Sequence, residues 1–139
     1  MPRPIPVPTE WNKPFWDACN EKRLVLQNCT SCNKLQYPPE QSCSTCKSAD
    51  NLEWKEVEGK GHTDIFFVIR DSRLRGFREM QPINFVLVTL DQDPGINFLS
   101  NLRDCPIGQV PLDAPVEVIF EETGSGQLLH EWKLVNPVS

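Results

Sequence analysis

The chain has no surplus of positive charge and no long apolar run. Its 139 residues carry 14 lysines and arginines against 19 aspartates and glutamates, which gives a formal net charge of −5. A net acidic chain is not expected to bind nucleic acid through a broad basic surface. No segment approaches the roughly 20 apolar residues of a transmembrane helix, and the proline-rich start lacks the basic and apolar regions of a signal peptide.

The motifs that mark common active sites are missing as well. There is no Gly-x-Ser-x-Gly nucleophile elbow and no Gly-x-x-x-x-Gly-Lys phosphate loop. Gly59-Lys60-Gly61 lacks the third glycine of a dinucleotide-binding turn and is better explained as a bend or bulge at a strand entry. His62 and His130 each fall within a strand pattern and are expected to be packed or exposed residues rather than general bases.

Four of the six cysteines form two Cys-x-x-Cys pairs separated by ten residues. Such a turn presents both sulfurs on one side, and a short hairpin folds the second pair back onto the first. The spacing is typical of a zinc ribbon with one Zn²⁺ per chain; iron or a redox use of the thiols is the less favoured alternative. A closed four-thiolate site leaves no position for a substrate, so the metal is expected to serve folding. The expected ligands are Cys29, Cys32, Cys43 and Cys46.

The cysteines also indicate a compartment. Four thiols with metal spacing in a chain without a recognisable leader indicate the reducing cytoplasm rather than a disulfide framework. Cys19 and Cys105 are left over, and nothing in the sequence places a histidine beside either of them. Both are expected to be small, buried or half-buried apolar residues.

The order of apolar runs and turn signals predicts a mainly β protein with a short N-terminal helix. Asn12-Lys13-Pro14 opens the helix, and residues 24–26 and 35–37 flank the first cysteine pair as a rubredoxin-like ribbon hairpin. From residue 52 onward strands alternate with turns, and five strands in this order fit an OB-fold barrel. The predicted barrel strands are residues 57–69, 83–90, 96–99, 116–120 and 128–135.

These elements divide the chain into three predicted segments. Residues 1–22 form the proline-rich segment and a docking helix, residues 23–56 the zinc ribbon, and residues 57–139 the OB-fold. The ribbon alone buries little apolar surface. Its stability is therefore expected to come from the metal, whose binding supplies about 10–16 kcal/mol in small zinc peptides.

Several short segments combine with the cysteine pairs into a family pattern. Phe15-Trp16 lies in the predicted helix, Arg23-Leu24 leads to the first pair, and Tyr37-Pro38-Pro39 stands before the second. Residues 52–54 then run into Gly59-x-Gly61. Together these segments resemble the zinc-ribbon/OB-fold family first catalogued as domain of unknown function thirty-five.

The resemblance covers nearly the whole chain. Residues 82–90 and 115–121 are similar to the family's central and late barrel strands. The chain departs from the family at Asn33 and Lys47, which stand where a glycine commonly follows each cysteine pair. Asparagine tolerates the left-handed backbone conformation, so this departure weakens the metal assignment little.

Membership of this family would imply a specific role. Its members are typically bound to thiolase-fold enzymes that act on acyl-coenzyme A, including thiolases, acyltransferases and aldolases. In those complexes the ribbon protein is a non-catalytic scaffold that helps to shape a CoA channel, and the partner supplies the catalytic residues. The leading functional expectation is therefore an accessory subunit in a hetero-oligomer, with acyl-CoA as a possible ligand.

An arginine-rich segment at residues 70–78 follows the first predicted barrel strand. In OB-folds the corresponding loop often borders the ligand face. Arginine binds phosphate through two parallel N–H donors, and CoA carries a 3′-phosphate and a diphosphate. Three alternatives stay open: a solvated loop with its charge offset by Asp71 and Glu79, a contact with a partner, or a CoA phosphate site. The candidate contact residues are Arg70, Arg73, Arg75 and Arg78.

Aromatic residues at the N-terminus have two interpretations. Trp11, Phe15 and Trp16 either dock the helix on the ribbon or form an exposed patch that a partner buries. Aromatic residues are enriched both in cores and at interface hot spots. The partner-docking interpretation is favoured.

Two other functional classes compete with the accessory subunit. A single-stranded nucleic-acid-binding module is the alternative, since zinc ribbons and OB-folds both bind single strands through basic grooves and aromatic residues. The acidity of the chain argues against it. An independent acyl-CoA hydrolase or transferase is the weakest class because no nucleophile and base can be named.

Overall fold

A computed structural model describes residues 6–70, 73 and 79–137. These residues contain one α-helix and eight β-strands, arranged in a three-stranded and a five-stranded antiparallel sheet. No helix in this part of the chain has the length and apolarity that crossing a membrane requires. The elements are α1 (Lys13–Asn20), β1 (Val25–Cys29), β2 (Lys34–Gln36), β3 (Leu52–Glu56), β4 (Lys60–Ile69), β5 (Ile83–Leu90), β6 (Asn97–Asn101), β7 (Pro115–Glu121) and β8 (Leu129–Leu134).

The smaller sheet has the order β2-β1-β3 and forms the ribbon. The sequence predicts its first two strands but not β3, which pairs with β1 from Val25↔Glu56 to Cys29↔Leu52. Residues 52–56 alternate apolar and charged side chains, as a strand does, but no turn signal before residue 59 marks them off from the predicted strand 57–69. Its pairing makes β1 a central strand, and all five of its residues are buried.

The larger sheet has the order β6-β5-β4-β7-β8. This is the strand order of an OB-fold, in which the first strand pairs with both the second and the fourth. The predicted mainly β class with one short helix and OB-like sheets is therefore confirmed. β4 begins at Lys60 rather than at residue 57, and its bulge lies after Thr63 rather than at the predicted glycines Gly59 and Gly61.

Side chains, rather than a continuous ladder, connect the two outer strands of the large sheet within the described residues. The Ser100 hydroxyl on β6 donates to Glu131 Oε2 at 2.8 Å and accepts from the Trp132 backbone N–H at 2.9 Å. The same Glu131 oxygen accepts from the Asn101 N–H at 2.9 Å. These bonds bring β6 and β8 together at the position where an OB-fold closes.

One hydrophobic core serves the helix, the ribbon and the large sheet. Phe15 and Cys19 of α1 and Leu24 and Leu26 of the ribbon belong to the same buried cluster as residues of β5 to β8. α1 is further held by Asn20, whose Oδ1 accepts from the Leu128 N–H at 2.8 Å in the turn before β8. The ribbon therefore packs on the large sheet through a shared core.

A β-bulge interrupts β4 after Thr63. Thr63 faces Val88, but Ile65 faces Leu87, so Asp64 is the extra residue. Since side chains alternate between the faces of a strand, one inserted residue moves every later side chain to the opposite face. Ile65 and Phe67 consequently lie on the outer face, exposed by 56% and 46%, instead of in the core.

We expect Gly61→Ala to destabilise the fold by about 2 kcal/mol, within the range for overpacked sites. A methyl group on Gly61 would lie 2.5 Å from the backbone oxygen of Thr89 in the paired strand, and a paired backbone cannot give way cheaply. Urea unfolding followed by circular dichroism measures the effect. Gly124→Ala, where the added methyl meets nothing within 4 Å, is the matched control and should change stability little. Equal effects of both variants would contradict this packing argument.

Candidate metal centre

The structure brings the four predicted cysteine ligands together. Their sulfur atoms all lie within 4.8 Å of one another, and the Sγ–Sγ distances are 3.6 Å for Cys29–Cys46 and also 3.6 Å for Cys32–Cys43. A tetrahedral zinc with Zn–S bonds of about 2.3 Å requires sulfurs about 3.8 Å apart. A disulfide would need a separation of about 2.05 Å. The geometry therefore fits a four-thiolate zinc site.

Each cysteine pair is held in a tight turn that ends in the left-handed conformation. The Asn33 N–H bonds to the Cys29 carbonyl at 2.6 Å, and the Lys47 N–H bonds to the Cys43 carbonyl at 2.9 Å. Asn33 has φ of 56° and Lys47 has φ of 67°. These are the two positions where the family commonly has glycine. The turns form without glycine because asparagine tolerates this region, and at the lysine the surrounding bonds offset the backbone strain.

Backbone donors favour the thiolate form of Cys43, the first cysteine of the second pair. The N–H groups of Thr45 and Cys46 both point at Cys43 Sγ, at 3.4 Å each. These bonds, with that of Cys46 the larger, lower the pKa of Cys43 from 9.0 to about 6. Thiolates are the form that binds metal. Cys43 is therefore prepared for coordination by its own turn.

Two buried glutamines, which no sequence motif singles out, support the metal loop. Gln27 and Gln36 face each other on β1 and β2, with Gln36 Nε2 donating to Gln27 Oε1 at 2.7 Å. Gln27 also bonds both the N–H and the carbonyl of Glu40 at 2.8 Å each, while Gln36 Oε1 accepts from the Ser44 N–H at 2.9 Å. These side-chain amides bond the backbone of the loop as a neighbouring strand would, and they fix the loop that carries Cys43.

An aromatic cluster joins the ribbon to the large sheet. The rings of Phe15 and His130 meet edge to face with centroids 5.0 Å apart, and those of Tyr37 and Phe98 are 4.4 Å apart. The Tyr37 hydroxyl lies 2.8 Å from His130 Nε2. The helix, the ribbon and the large sheet therefore each contribute at least one ring to this aromatic cluster. His130 is packed within it, as expected.

Burial lowers the pKa of His130 to about 4. Its Nδ1 is buried and has no hydrogen-bond partner in the described part of the chain. Burial also raises the pKa of Tyr37 above its ordinary value. The pair is therefore a neutral hydrogen bond within the aromatic cluster.

The N-terminal aromatic residues do not form one surface. Phe15 is 1% exposed and packs against Trp16. It faces the core of its own chain because of its position on the helix. The expectation that Phe15 docks a partner is therefore corrected. Trp16 is half-buried, with its ring 5.8 Å from that of His130. Trp11 is 42% exposed. The docking prediction is thus left to Trp11 and the outer part of Trp16.

The predicted arginine cluster is described in part. Arg70, directly after β4, and Arg73 are both exposed. Arg75 and Arg78 lie outside the described residues. The predicted phosphate or partner contact therefore stays a prediction for these four residues.

The two cysteines outside the metal cluster are buried thiols with raised pKa values. Burial raises the pKa of Cys19 to about 12, and burial together with the neighbouring Asp104 raises the pKa of Cys105. Both thiols are buried, as expected for small apolar residues. His62 Nδ1 lies 2.5 Å from Asp91 Oδ1 in a half-exposed pair at the end of β5.

A cleft of about 550 Å³ lies between the start of β5, the loop after β6 and the end of β7. Arg103 and Glu121 pair across its wall at 2.8 Å. Its volume falls in the range of small-molecule sites. Glu121 and Glu122 on the same wall oppose an anionic ligand such as the phosphates of CoA.

We expect one zinc per chain in the purified protein, and loss of that zinc in Cys46→Ser. Removing one of four thiolates leaves an open and weaker site, and the ribbon loses its main source of stability. Elemental analysis and circular dichroism measure both effects. Cys105→Ser changes a thiol outside the cluster and should keep the metal. A Cys46→Ser protein that stays folded with zinc at full occupancy would refute the four-ligand assignment.

The depressed pKa of His130 predicts a pH-dependent contribution to stability. The unfolded chain takes up a proton below about pH 6.5, whereas the folded chain does not do so until about pH 4. The free energy of unfolding should therefore fall by roughly 2–3 kcal/mol between these pH values. His130→Gln removes this contribution. The difference in unfolding free energy between the two proteins, measured from pH 7 to pH 4, cancels the shared acid sensitivity of the zinc site. If the unfolding free energies of the two proteins fall in parallel with pH, His130 does not have the lowered pKa assigned to it.

Comparison with known proteins identifies the ribbon. Residues 16–53 match the model of the "ChsH2, rubredoxin-like zinc ribbon domain" family. A curated relative, the "Probable enoyl-CoA hydratase alpha subunit" of Thermomonospora curvata, is 26% identical over 115 residues, which are 82% of this chain. The match spans 34% of that relative, so this chain corresponds to about a third of its length.

Two solved structures share the fold. A chain of the "Ltp2-ChsH2(DUF35) aldolase" is 23% identical with a TM-score of 0.81, and the match covers 95% of this chain and 100% of that chain. A DUF35-family protein of unknown function from Sulfolobus solfataricus is 16% identical with a TM-score of 0.61, covering 90% of this chain and 85% of that chain. Residues 16–53 therefore match a ChsH2-type, rubredoxin-like zinc ribbon, and nearly the whole chain shares its fold with a DUF35 protein, as the sequence resemblance predicts.

Proposed function

We propose that this chain is a non-catalytic accessory subunit of an acyl-CoA enzyme complex. The observation that carries the proposal is the fold match along nearly the full length of the chain to one chain of a protein described as an aldolase of two named components. The curated relative, described as an enoyl-CoA hydratase subunit, adds a second link to acyl-CoA chemistry. A closed four-thiolate site agrees with a structural role for the metal.

The partner that we propose is a thiolase-fold enzyme subunit. The basis for this partner is the resemblance to the zinc-ribbon/OB-fold family, whose members are typically bound to such enzymes. In this arrangement zinc holds the ribbon loops rigid, and the shared core fixes the ribbon relative to the large sheet. A rigid accessory subunit can present a preformed surface, which lowers the ordering cost of association.

Two surfaces are proposed for contacts in that complex. Trp11 is an exposed aromatic residue beside the docked helix, and such residues are enriched at interface hot spots. Arg70 and Arg73 are exposed at the end of β4, where guanidinium groups could meet carboxylates of a partner or phosphates of CoA. Both assignments are finer than the accessory role and are tested separately from it.

The nucleic-acid alternative finds no support on the usual ligand face of the barrel. β5 and β6, whose outer face binds oligonucleotides in many OB-folds, contain no lysine or arginine in INFVLVTL and NFLSN. Single-strand binding requires positive charge along the backbone path. The accessory-subunit proposal is therefore preferred.

We expect the tagged protein, purified from its native cells at moderate salt, to retain a thiolase-fold enzyme in a fixed stoichiometry. Mass spectrometry identifies the retained proteins, and the ratio of absorbance at two wavelengths reports nucleic acid. The assembly should also be reconstituted from the two purified proteins, with acyl-CoA turnover higher in the complex than in the partner alone. Recovery of the protein without an acyl-CoA enzyme, or with nucleic acid, would refute the proposal.

Substitutions then locate the interface. Trp11→Ser should weaken the reconstituted complex by about tenfold or more, as expected when an aromatic hot spot is lost. Leu112→Ser, at another exposed apolar residue, is the matched control. Arg73→Glu should lower either complex affinity or CoA affinity. If it changes neither, Arg73 belongs to a solvated loop and the arginine contact is rejected.

A further inference from the structure

The second half of β4 has a strand neighbour on one side only within the part of the chain that the structure describes. β7 pairs with β4 from Lys60 to His62, and Thr63 exchanges backbone bonds with residues 113 and 114. From Ile65 to Ile69 the described pairing is with β5 alone. This leaves a row of backbone N–H and C=O groups facing outward along the edge.

That edge lacks the features that usually protect such strands. Ile65 to Ile69 is an uninterrupted apolar stretch, Ile-Phe-Phe-Val-Ile, without charge or proline. The bulge at Asp64 precedes it, and the five residues after the bulge keep regular register with β5. Unprotected apolar edges pair readily with another strand. An edge of this kind in a folded protein is expected to be covered.

The bulge also gives the edge an apolar outer face. Because of the shifted register, Ile65 and Phe67 point outward, next to Leu87 and Phe85 of β5. The Phe67 and Phe85 rings stack with centroids 5.7 Å apart and planes at 10°. A strand added beside β4 would cover the open side of this row through cross-strand contacts.

Opposite charges at the two ends of the edge favour pairing with a second copy of this chain. Asp64 and Arg70 are both exposed, and each lies three residues from Phe67. If a second copy pairs with the edge in antiparallel orientation about Phe67, Asp64 meets Arg70 of the other copy at both ends. Ile65 then faces Ile69, and the two Phe67 residues face each other at the twofold axis. In parallel orientation the like charges would meet instead, which is unfavourable.

We propose that β4 forms the interface of a homodimer in which two copies pair antiparallel along Ile65 to Ile69. The twofold axis passes at Phe67, and two Asp64–Arg70 ion pairs fix the register. The pairing joins the two large sheets into one continuous sheet, with an isologous contact that closes on itself and does not propagate into fibres. This inference does not rest on the accessory-subunit proposal, since it uses only the edge and its charges. It assigns Arg70 to the second copy and leaves Arg73 for the contact proposed above.

The test is a charge swap measured by analytical ultracentrifugation on the full-length, zinc-loaded protein. The unaltered chain should be a dimer. Asp64→Arg and Arg70→Asp should each raise the dimer dissociation constant about tenfold or more, because each replaces two attractions by two repulsions. The double variant Asp64→Arg/Arg70→Asp should return to within about threefold of the unaltered chain, since it restores opposite charges at both ends.

Controls separate the interface from folding and from net charge. Glu58→Arg reverses an exposed charge just before β4 and should leave the dissociation constant unchanged. Circular dichroism and zinc content should be the same in all variants. A monomeric unaltered chain at about 100 µM, or a double variant no tighter than the single ones, would overturn the proposal. If the unaltered chain is monomeric but still binds an acyl-CoA enzyme, the homodimer is rejected and the accessory-subunit proposal stands.

Discussion

The cluster of four thiolates is the constraint on which the ribbon depends. Between Asn33 and Asn51 only Gln36 and Cys43 are buried, while Leu35 and Tyr37 are half-buried. So little buried apolar surface cannot offset the conformational entropy of ordering the loop. The metal site supplies that stability, and the Gln27–Gln36 amides transmit it by fixing the backbone of residues 40 and 44. The order of the loop is therefore set by coordination and polar bonds more than by packing.

The ribbon in turn gives the large sheet part of its core. Tyr37 extends from the ribbon to His130 and Phe98, and Phe15 of the helix covers the same point. A tilted or loosened ribbon would expose these rings and leave the Tyr37–His130 bond unmade. Through these contacts, loss of the metal would also disturb the packing of the large sheet. The same contacts explain why a helix of eight residues is ordered, since short helices need tertiary contacts.

Much of this architecture was predictable because its signals are local. Cysteine spacing, turn residues and alternating apolar patterns gave the ribbon, the helix start and the five strands of the large sheet, with β5 predicted to the residue at 83–90. The missing features depend on contacts between distant segments. β3 has a pattern that either an exposed or a paired strand could have, and the burial of Gln27 and Gln36 follows from a loop that folds over them. Phe15 and Trp16 are adjacent aromatic residues, so only the position of the helix reveals which one enters the core.

The bulge in β4 shows most clearly why a surface is harder to predict than a fold. Alternation read forward from Thr63, which is buried, would place Ile65 and Phe67 inside, and the sequence has no glycine at Asp64 to mark an insertion. One extra residue keeps the strand and its pairing but exchanges its two faces. Residues 64–70 thereby acquire an apolar outer row. They also carry opposite charges at the two ends and, within the described part of the chain, pair with β5 alone. In a buried strand, this sequence would simply be part of the core. At an edge it is complementary to itself in the antiparallel direction, because Asp64 and Arg70 are equidistant from Phe67. The surface of this strand is therefore determined less by motifs than by where the strand pairing stops.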